Sequence, residues 1–376
     1  MEDYERMIAD LPEATIPVVR TEAPNAPIPL YDGPLTFSGY GVKDSVTTGS
    51  LVFSWMPDPC VRISVPRAGS GMLNLEHTAV SFPGITTPTP ANLTSGTISL
   101  HGERSVAGSL SAITTVGTEQ SCDHVIAHIP NLRSYFGGLI RDRDRRASWR
   151  GRLDLSTGEW EVYLDEVPDE KKLRKALREQ GGYALTHVAS VRRVDGQPFS
   201  RETADVMLER LGYFLAFVRG AWCRAVLPTG FLDDVQSWQI WSSPHLTPWS
   251  PGTNWFVSDG DSGEIRRLFT TFLDQMGDPD WNYVLTTAIH WYVEANLATA
   301  GVEAATIMTQ SALELLAWHY LVGVKKTHTP ADFEGSFANN LKQLLHELQI
   351  KIRVPKTKQI PRDTKSTDFP TAFVAV

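Results

Sequence analysis

The residues best suited to bind a metal ion are Cys122, Asp123, His124 and His128, because two histidines four positions apart share one face of a helix. Across residues 125–129, however, the apolar residues alternate with the others, which predicts a strand. On a strand, positions four apart are separated by ~13 Å, too far to share an ion. We therefore expect no metal or cofactor site here, and a histidine face turned to solvent or to a polar seam.

Two basic stretches are candidate contacts for a phosphate backbone. The first carries Arg141, Arg143, Arg145 and Arg146, and the second carries Lys351, Arg353, Lys356 and Lys358. In the first stretch, the interleaved aspartates favour a solvated loop and strand edge over nucleic-acid contact. In the second, a linker explains the composition as well as RNA contact does. The whole chain is acidic, with a net charge of −8, so contact with nucleic acid would depend on such patches.

A third group of polar residues interrupts an apolar helical segment. Glu303, Gln310 and Glu314 fall within roughly 20° of one line on a helix with 3.6 residues per turn. Carboxylates on a mostly apolar helix must be paired, face a cleft or lie at an interface. We interpret the three as a candidate polar cleft or dimer seam, and the alternative is a narrow solvent-exposed face.

Hydrolase and nucleotide-binding motifs are absent: the chain contains no GxSxG, GxxxxGK[ST] or HExxH, and no GxGxxG after a strand. Three widely spaced cysteines form no disulfide framework or CxxC pair, which favours a reducing cytoplasm. The acidic start has no secretory h-region, and no run of about 18 apolar residues predicts a membrane span.

The strands and helices that the sequence predicts around these residues indicate an α+β protein of several domains. Residues 1–25 are expected to form a disordered tail. Residues 26–167 contain short apolar runs cut by turn residues, which predicts a β-sandwich-like domain or a related barrel. Within it, Thr157-Gly158 separates two alternating runs and predicts a hairpin.

Residues 168–250 are expected to form a small α+β bridging unit. It begins with a charged helix that ends at Gly181, and a second helix is capped by Ser200 and Thr203. Residues 251–350 are expected to be helical, with Asp278 and Pro279 as cap and first turn of one helix. Residues 351–376 are predicted to be a basic linker and the start of a truncated helix.

Three short segments and one longer one carry a family resemblance. They are Trp255-Phe256, AIHWY at 288–292, ALELL at 312–316, and the stretch at 186–220 that begins THVASVRR. On these residues the helical part resembles the HEPN superfamily, and residues 35–376 resemble ApeA-like bacterial proteins. The resemblance implies a β-rich region followed by a HEPN-type helical bundle, incomplete in this chain.

The resemblance also implies metal-independent RNA cleavage, often within antiphage defence. The active residues of the family follow R-N-x3-H on the last long helix, where the His serves as acid or base and the Arg stabilises the phosphate charge. None of the ten histidines here lies four to six residues after an Arg, so no catalytic residue is assigned and the chain is predicted inactive. The apolar ending predicts that the chain stops before that helix, and an inactive natural relative is the alternative.

We therefore expect a cytoplasmic, HEPN-type RNA-handling protein that forms a homodimer through its helical domain and contacts no membrane. The alternative is a non-catalytic protein whose β-sandwich binds a small molecule, a glycan or another protein.

Overall fold

The computed structural model has a β-rich N-terminal region followed by a helical C-terminal region. The residues it describes are 10–40, 42–68, 76–98, 104–143, 147–251, 262–298, 301–334 and 337–350. Within these ranges, every helix is too short or too polar to cross a bilayer.

Six strands of the N-terminal region close into an antiparallel barrel. They are β1 (Ile28–Gly39), β2 (Val42–Ser54), β3 (Cys60–Ala68), β4 (Ala79–Ser81), β5 (Thr89–Ile98) and β6 (Arg104–Leu110), in the order β1-β2-β3-β6-β5-β4. Successive side chains of a strand point to opposite faces, so Leu51 and Phe53 are buried while Val52 between them is half-buried. Of the two predicted arrangements, a β-sandwich and a related barrel, the structure has the barrel, because the sheet closes on itself.

Eight further strands form one antiparallel sheet. The remaining strands of the described residues are β7 (Thr114–Val116), β8 (Ser121–Cys122), β9 (His124–Pro130), β10 (Gly138–Arg141), β11 (Ser148–Asp154), β12 (Trp160–Glu166), β13 (Leu185–Arg193), β14 (Phe199–Ser200), β15 (Val226–Leu232) and β16 (Val235–Trp241). The sheet has the order β10-β11-β12-β13-β9-β15-β16-β7, and β8 pairs separately with β14. Since β12 pairs with β13, the boundary predicted between residues 167 and 168 cuts through a single sheet.

Local signals place the hairpin and the first two helices correctly. Strands β11 and β12 form the predicted hairpin around Thr157-Gly158. Helix α1 (Glu170–Gln180) ends at Gly181, whose φ of 69° suits glycine. Helix α2 (Arg201–Arg219) begins after Ser200, whose hydroxyl accepts a hydrogen bond from the Thr203 amide at 3.2 Å.

Four more helices make up the C-terminal region. They are α3 (Ser262–Gly277), α4 (Pro279–Leu297), α5 (Gly301–Trp318) and α6 (Phe337–Glu347), and a π-helical turn (His319–Val324) extends α5. The predicted cap at α4 is confirmed: the Asp278 carboxylate accepts from the amides of Asp280 and Trp281 at 2.9 and 3.1 Å. The predicted linker and truncated helix at 351–376 lie outside the described residues.

The sheet and helices α2, α3 and α4 share one hydrophobic core. Helix α2 packs against α3, with the centroid of the Phe214 ring 4.8 Å from that of Phe269 in an edge-on contact. Ala317, Leu321 and Leu344 belong to a separate small core that joins α5, the π-helical turn and α6. The start of the helical region is thus packed onto the sheet, whereas α5 packs mainly on α4, and α6 packs on α5.

Residues 10–25, which we name the N-terminal strap, are not the disordered tail that their composition predicts. Backbone amides of the strap donate hydrogen bonds to residues of the eight-stranded sheet and to Tyr183, just before β13. The bonds run from Ala14 to the Arg141 carbonyl (2.9 Å), from Thr15 to the Asp165 carboxylate (2.8 Å), from Val19 to His128 Nε2 (2.9 Å) and from Asn25 to the Tyr183 carbonyl (2.8 Å). These bonds give the backbone N–H groups of the strap the partners that they need. They also fix the strap along one side of the sheet.

Candidate anion-binding cleft

A cleft of about 690 Å³ opens between α2, the end of β16 and the segment that leaves the barrel. It is lined by Ser111, Ala112, Ile113, Asp205, Val206, Leu208, Glu209, Arg224, Ala225, Pro228, Ile240, Ser242, Ser243, Pro244 and His245. This volume is within the range of small-molecule and cofactor sites. Seven of these fifteen residues are polar or charged, so the chemistry of the cleft depends on those groups.

Arg224 is the guanidinium of the cleft, and two aromatic rings hold it in place. Its guanidinium carbon lies 5.1 Å from the centroid of Tyr213 and 5.8 Å from that of Trp222. Such contacts contribute about 0.5–2 kcal/mol and leave the N–H groups at the rim of the guanidinium free to donate. Among the described residues, no carboxylate forms an ion pair with Arg224. The group is therefore pre-positioned for an anion from outside the chain.

Trp222 connects this cleft to the helical region. Its side chain is 4% exposed, and its indole N–H donates to the Glu294 carboxylate of α4 at 2.7 Å. The exposed rings of His245 and His290 contact the same indole, with centroid distances of 5.4 and 5.6 Å. A buried indole with a satisfied N–H is a rigid support, so α4 helps to fix the position of Arg224.

Two carboxylates on α2 give the cleft an acidic side. Asp205 accepts a hydrogen bond from Arg201 Nη1 at 2.9 Å. Burial raises the pKa of Asp205, and the charge of Arg201 partly offsets that rise. Glu209 lies one turn further along α2 and is exposed. The cleft is thus bipolar: it attracts an anion at Arg224 and disfavours a second negative charge near Glu209.

The predicted basic contacts are only partly described, and those that are described already have a partner. Arg141 Nη2 binds the Glu13 carboxylate at 2.7 Å, and Arg143 Nε lies 4.0 Å from the same group. Glu13 forms a bridge beside Arg141, at the outer strand β10 of the sheet. Arg145, Arg146, Lys351, Arg353, Lys356 and Lys358 lie outside the described residues. The N-terminal strap therefore neutralises the described part of the first patch.

The predicted polar stripe lies along α5, but its members differ in exposure. Glu303 and Gln310 are exposed, and Glu314 is half-buried. Ile307 and Trp318 lie on the same side of the helix and are 65% and 42% exposed. A cleft or dimer seam formed by Glu303, Gln310 and Glu314 stays a prediction.

The predicted strand at residues 124–130 is confirmed as β9, yet one of its histidines is placed differently from expectation. His124 stacks on Phe231 with a centroid distance of 5.0 Å. His128 is fully buried, with Nε2 accepting from the Val19 amide and Nδ1 donating to the Val226 carbonyl. Burial lowers the pKa of His128 to about 4, so this ring is a neutral structural link rather than a solvent-facing group. Across the described ranges, no three metal-ligating side chains converge.

A cluster of titratable groups is buried where β12 meets α1. Glu166 is 8% exposed, and its Oε1 accepts from the Tyr135 amide at 3.2 Å and lies 3.9 Å from His187 Nε2. Burial, assisted by the charge of Glu170, raises the pKa of Glu166 to about 7. Burial, with the charge of Arg174, lowers the pKa of His187 to about 3. Near neutral pH, His187 is therefore uncharged and Glu166 is partly protonated.

Arg224, Tyr213 and Trp222 are missing from the residues that the sequence suggested. Positions 222 and 224 are two apart, but position 213 lies on α2 and the other two lie beyond its end, so no single element or period links all three. The only local signal is an arginine two positions after a tryptophan at the start of an apolar run. That pattern is too common to identify a site.

Two family models match the chain: the YopA central domain over residues 117–252 and the YopA C-terminal domain over residues 278–376. The chain is also similar to the SPbeta prophage-derived uncharacterized protein YopA of Bacillus subtilis (strain 168), with 29% identity over 217 residues. That match takes in 56% of this chain and 49% of the relative, so the chain spans about half the length of that protein. No solved structure matches the chain. These matches concern YopA, and the resemblance to ApeA-like and HEPN proteins stays a prediction.

Proposed function

We propose that this chain is a cytoplasmic RNA-binding protein and that the Arg224 cleft holds a short single-stranded segment without cutting it. The observation that carries the proposal is the guanidinium of Arg224, held by two aromatic rings and without an ion-pair partner among the described residues. The choice of RNA over other anions comes from the HEPN resemblance of the helical sequence.

Single strands suit this geometry for two physical reasons. A guanidinium plane binds a phosphate through paired N–H donors and also stacks on unpaired bases. The hydroxyls of Ser242 and Ser243 add neutral hydrogen-bonding groups in the same cleft. Glu209 limits the cleft to one phosphate near Arg224, which favours a splayed single strand over the regularly spaced charges of a duplex.

Arg224→Ala should weaken binding of a labelled 12-nucleotide single-stranded RNA about tenfold in fluorescence anisotropy at low salt, since one charge-assisted contact is lost. The RNA affinity of Arg224→Lys should lie between those of wild type and Arg224→Ala, because lysine keeps the charge but cannot stack as a planar guanidinium does. The matched control is Arg193→Ala: Arg193 also stands over a tryptophan, Trp160, but already pairs with Asp195 and Glu159.

Glu209→Gln separates an anionic ligand from a cationic one in the same assay. Removing the carboxylate should tighten RNA binding about twofold, whereas a cationic ligand would bind more weakly. Equal affinities for wild type, Arg224→Ala and Arg193→Ala would exclude the cleft as the RNA site. The RNA should stay intact throughout, and cleavage that disappears in His290→Ala would contradict binding without cutting.

The helical region, in this proposal, is HEPN-like and pairs with a second copy through α5. The support is the mixed side of α5 that carries Glu303, Gln310 and Glu314 together with the exposed Ile307 and Trp318. Apolar side chains set among polar ones are typical of subunit interfaces, which combine an apolar centre with a polar rim.

Ile307→Glu should weaken self-association about tenfold, because a buried charge at the seam would have no partner. Sedimentation at tens of micromolar would measure the change. Val235→Glu is the control, since Val235, the first residue of β16, is 68% exposed, close to the 65% of Ile307. A wild-type chain that sediments as a monomer at that concentration would contradict the dimer.

The alternative of a ligand inside the β-rich domain finds less support. Leu35, Phe37, Leu51, Ile63 and Val65 fill the barrel interior, each with at most 1% exposure. A small barrel packed in this way has no room for a ligand along its axis. The barrel therefore serves better as a scaffold than as a binding chamber.

A further inference from the structure

Three side chains from different parts of the chain meet around the indole of Trp222. The guanidinium carbon of Arg224 lies 5.8 Å from the centroid of the indole, and the ring centroids of His245 and His290 lie 5.4 and 5.6 Å from it. Any two of these three groups are therefore less than about 12 Å apart. The shared contact with one ring, rather than closeness in sequence, brings the three together.

The two histidines belong to different regions of the structure. His245 follows β16 and lines the cleft together with Arg224, whereas His290 lies on α4, outside the lining of the cleft. Both histidines are exposed, although the indole that they contact is 4% exposed. A ligand that reaches from Arg224 past the edge of Trp222 would therefore meet imidazole groups from both the sheet and the helical region.

The N–H groups of both imidazoles are available to a ligand. Within the described ranges, no residue forms a hydrogen bond or an ion pair with the ring of His245 or His290. The carboxylate of Glu294, one turn after His290 on α4, is already bonded by the indole N–H of Trp222 at 2.7 Å. A neutral imidazole carries one N–H donor and a protonated one carries two, so each ring has at least one donor to offer.

The carboxylates of the cleft favour the same direction for a ligand with more than one negative charge. Asp205 and Glu209 both line the cleft from α2. Repulsion by these carboxylates disfavours a second anionic group along that wall. His245 lines the cleft from the segment after β16 instead, and it continues to His290 through the Trp222 indole.

We infer that the RNA segment bound at Arg224 carries two successive phosphates, with Arg224 binding one and His245 and His290 binding the next. The inference rests on the proposed function and names the smallest complete ligand, a dinucleotide with a 5′-phosphate. A strand carries one phosphate per ~3.4 Å of duplex axis, and the spacing widens when the strand is extended. Two neighbouring phosphates therefore fit within the span of the three groups, and imidazole N–H groups donate to phosphate oxygens as guanidinium groups do.

Competition against the labelled 12-nucleotide RNA on the intact chain tests the second phosphate contact. The competitors are uridine 5′-monophosphate, the dinucleotide UpU with a 5′-hydroxyl, and pUpU, which alone has two phosphates. On wild type, pUpU should bind about tenfold more tightly than either of the others. His245→Ala and His290→Ala should each weaken pUpU about threefold and leave uridine 5′-monophosphate unchanged, because the first phosphate stays on Arg224.

Two further variants separate a ligand contact from a structural effect. His290→Gln keeps a side-chain N–H donor, so it should retain most of the preference for pUpU. His346→Ala is the control, since His346 is also an exposed histidine on a helix, α6, and should change no affinity. Alanine favours a helix, so His290→Ala and His346→Ala are both expected to fold normally.

The inference and the proposed function fail in different ways. If Arg224→Ala leaves the affinities of all three competitors unchanged, the cleft is not the RNA site and both fail. If Arg224→Ala weakens all three while both histidine variants keep the wild-type ratio of pUpU to uridine 5′-monophosphate, only the second phosphate contact is overturned. UpU that binds as tightly as pUpU would also overturn it, because the second contact would then be to a base.

Discussion

Asp165→Ala is expected to lower the free energy of unfolding by about 3–5 kcal/mol, the cost of leaving one partner of a buried ion pair alone. Asp165 is 1% exposed and accepts from Arg152 Nε and Nη2 at 2.8 and 2.6 Å. It also accepts from the Thr15 amide at 2.8 Å. The substitution therefore strands a guanidinium and releases one attachment of the N-terminal strap.

Chemical denaturation monitored by tryptophan fluorescence measures the loss, and a surface pair of the same geometry provides the control. Asp195 accepts from Arg193 Nε and Nη2 at 3.0 and 2.9 Å, but that pair lies at an exposed turn. Asp195→Ala should change stability little, because water replaces the lost partner. A similar loss in both variants would show that burial does not decide the strength of the Asp165 pair.

The Asp165 variant should also expose the strap to proteases. The Glu13 carbonyl accepts from Arg152 Nη2 at 2.8 Å, so Arg152 orients the strap and Asp165 orients Arg152. Cleavage near residues 10–20 should precede global unfolding in Asp165→Ala and accompany it in wild type. This order distinguishes local release of the strap from uniform destabilisation.

Features set by residues close together in sequence are the ones that the sequence predicts well. Asp278 caps α4, Ser200 caps α2 and Gly181 ends α1, because each bonds or shapes backbone within a few positions. The apolar spacing of α3 likewise predicts its buried side, with Ile265, Phe269 and Phe272 in the core. Such elements need no knowledge of the tertiary fold.

Features set by pairing between distant segments are the ones that the sequence misses. Short alternating strands are equally consistent with a sandwich and with a closed barrel, since both bury one face of each strand. The strap looks like a disordered tail because its partners, such as Asp165 and His128, lie more than 100 positions away. The domain boundary near residue 167 fails for the same reason, since nothing local indicates that β12 pairs with β13.

The candidate cleft is also set by contacts between segments that are distant in sequence. Arg224 acquires its role from Tyr213 on α2 and from Trp222, which is itself fixed by Glu294 on α4. Runs of basic residues attract attention in a sequence, yet the described members of one such run, Arg141 and Arg143, are already bound by Glu13.

A pH-dependent loss of stability is expected from Glu166. Burial raises its pKa in the folded chain to about 7, from an ordinary value of 4.5. Between these two values the unfolded chain releases the proton and the folded chain keeps it, so a rising pH stabilises the unfolded state relative to the folded state. The contribution of Glu166 should therefore be complete below pH 4.5 and fall by about 3 kcal/mol by pH 7.

Wild-type stability alone would hide this trend, because His128 and His187 act in the opposite direction. Their pKa values are lowered to about 4 and about 3, so the unfolded chain binds extra protons below pH 6.5 and stability rises with pH there. The quantity to measure is the unfolding free energy of wild type minus that of Glu166→Gln, from pH 4 to 8. The neutral amide keeps the volume without the titration, so the difference should decline between pH 4.5 and 7 and then level off.

Glu161→Gln on the outer face of the same strand β12 is the control, since the Glu161 side chain is 37% exposed. Its difference profile should stay flat through the window in which that of Glu166→Gln declines. A flat Glu166→Gln profile would mean that solvent or Arg174 stabilises the charged carboxylate well enough to cancel the cost of burial. A rising profile would mean that Glu166 is ionised in the folded chain and paired with a cation, and the buried cluster would then have to be reassigned as an ion pair.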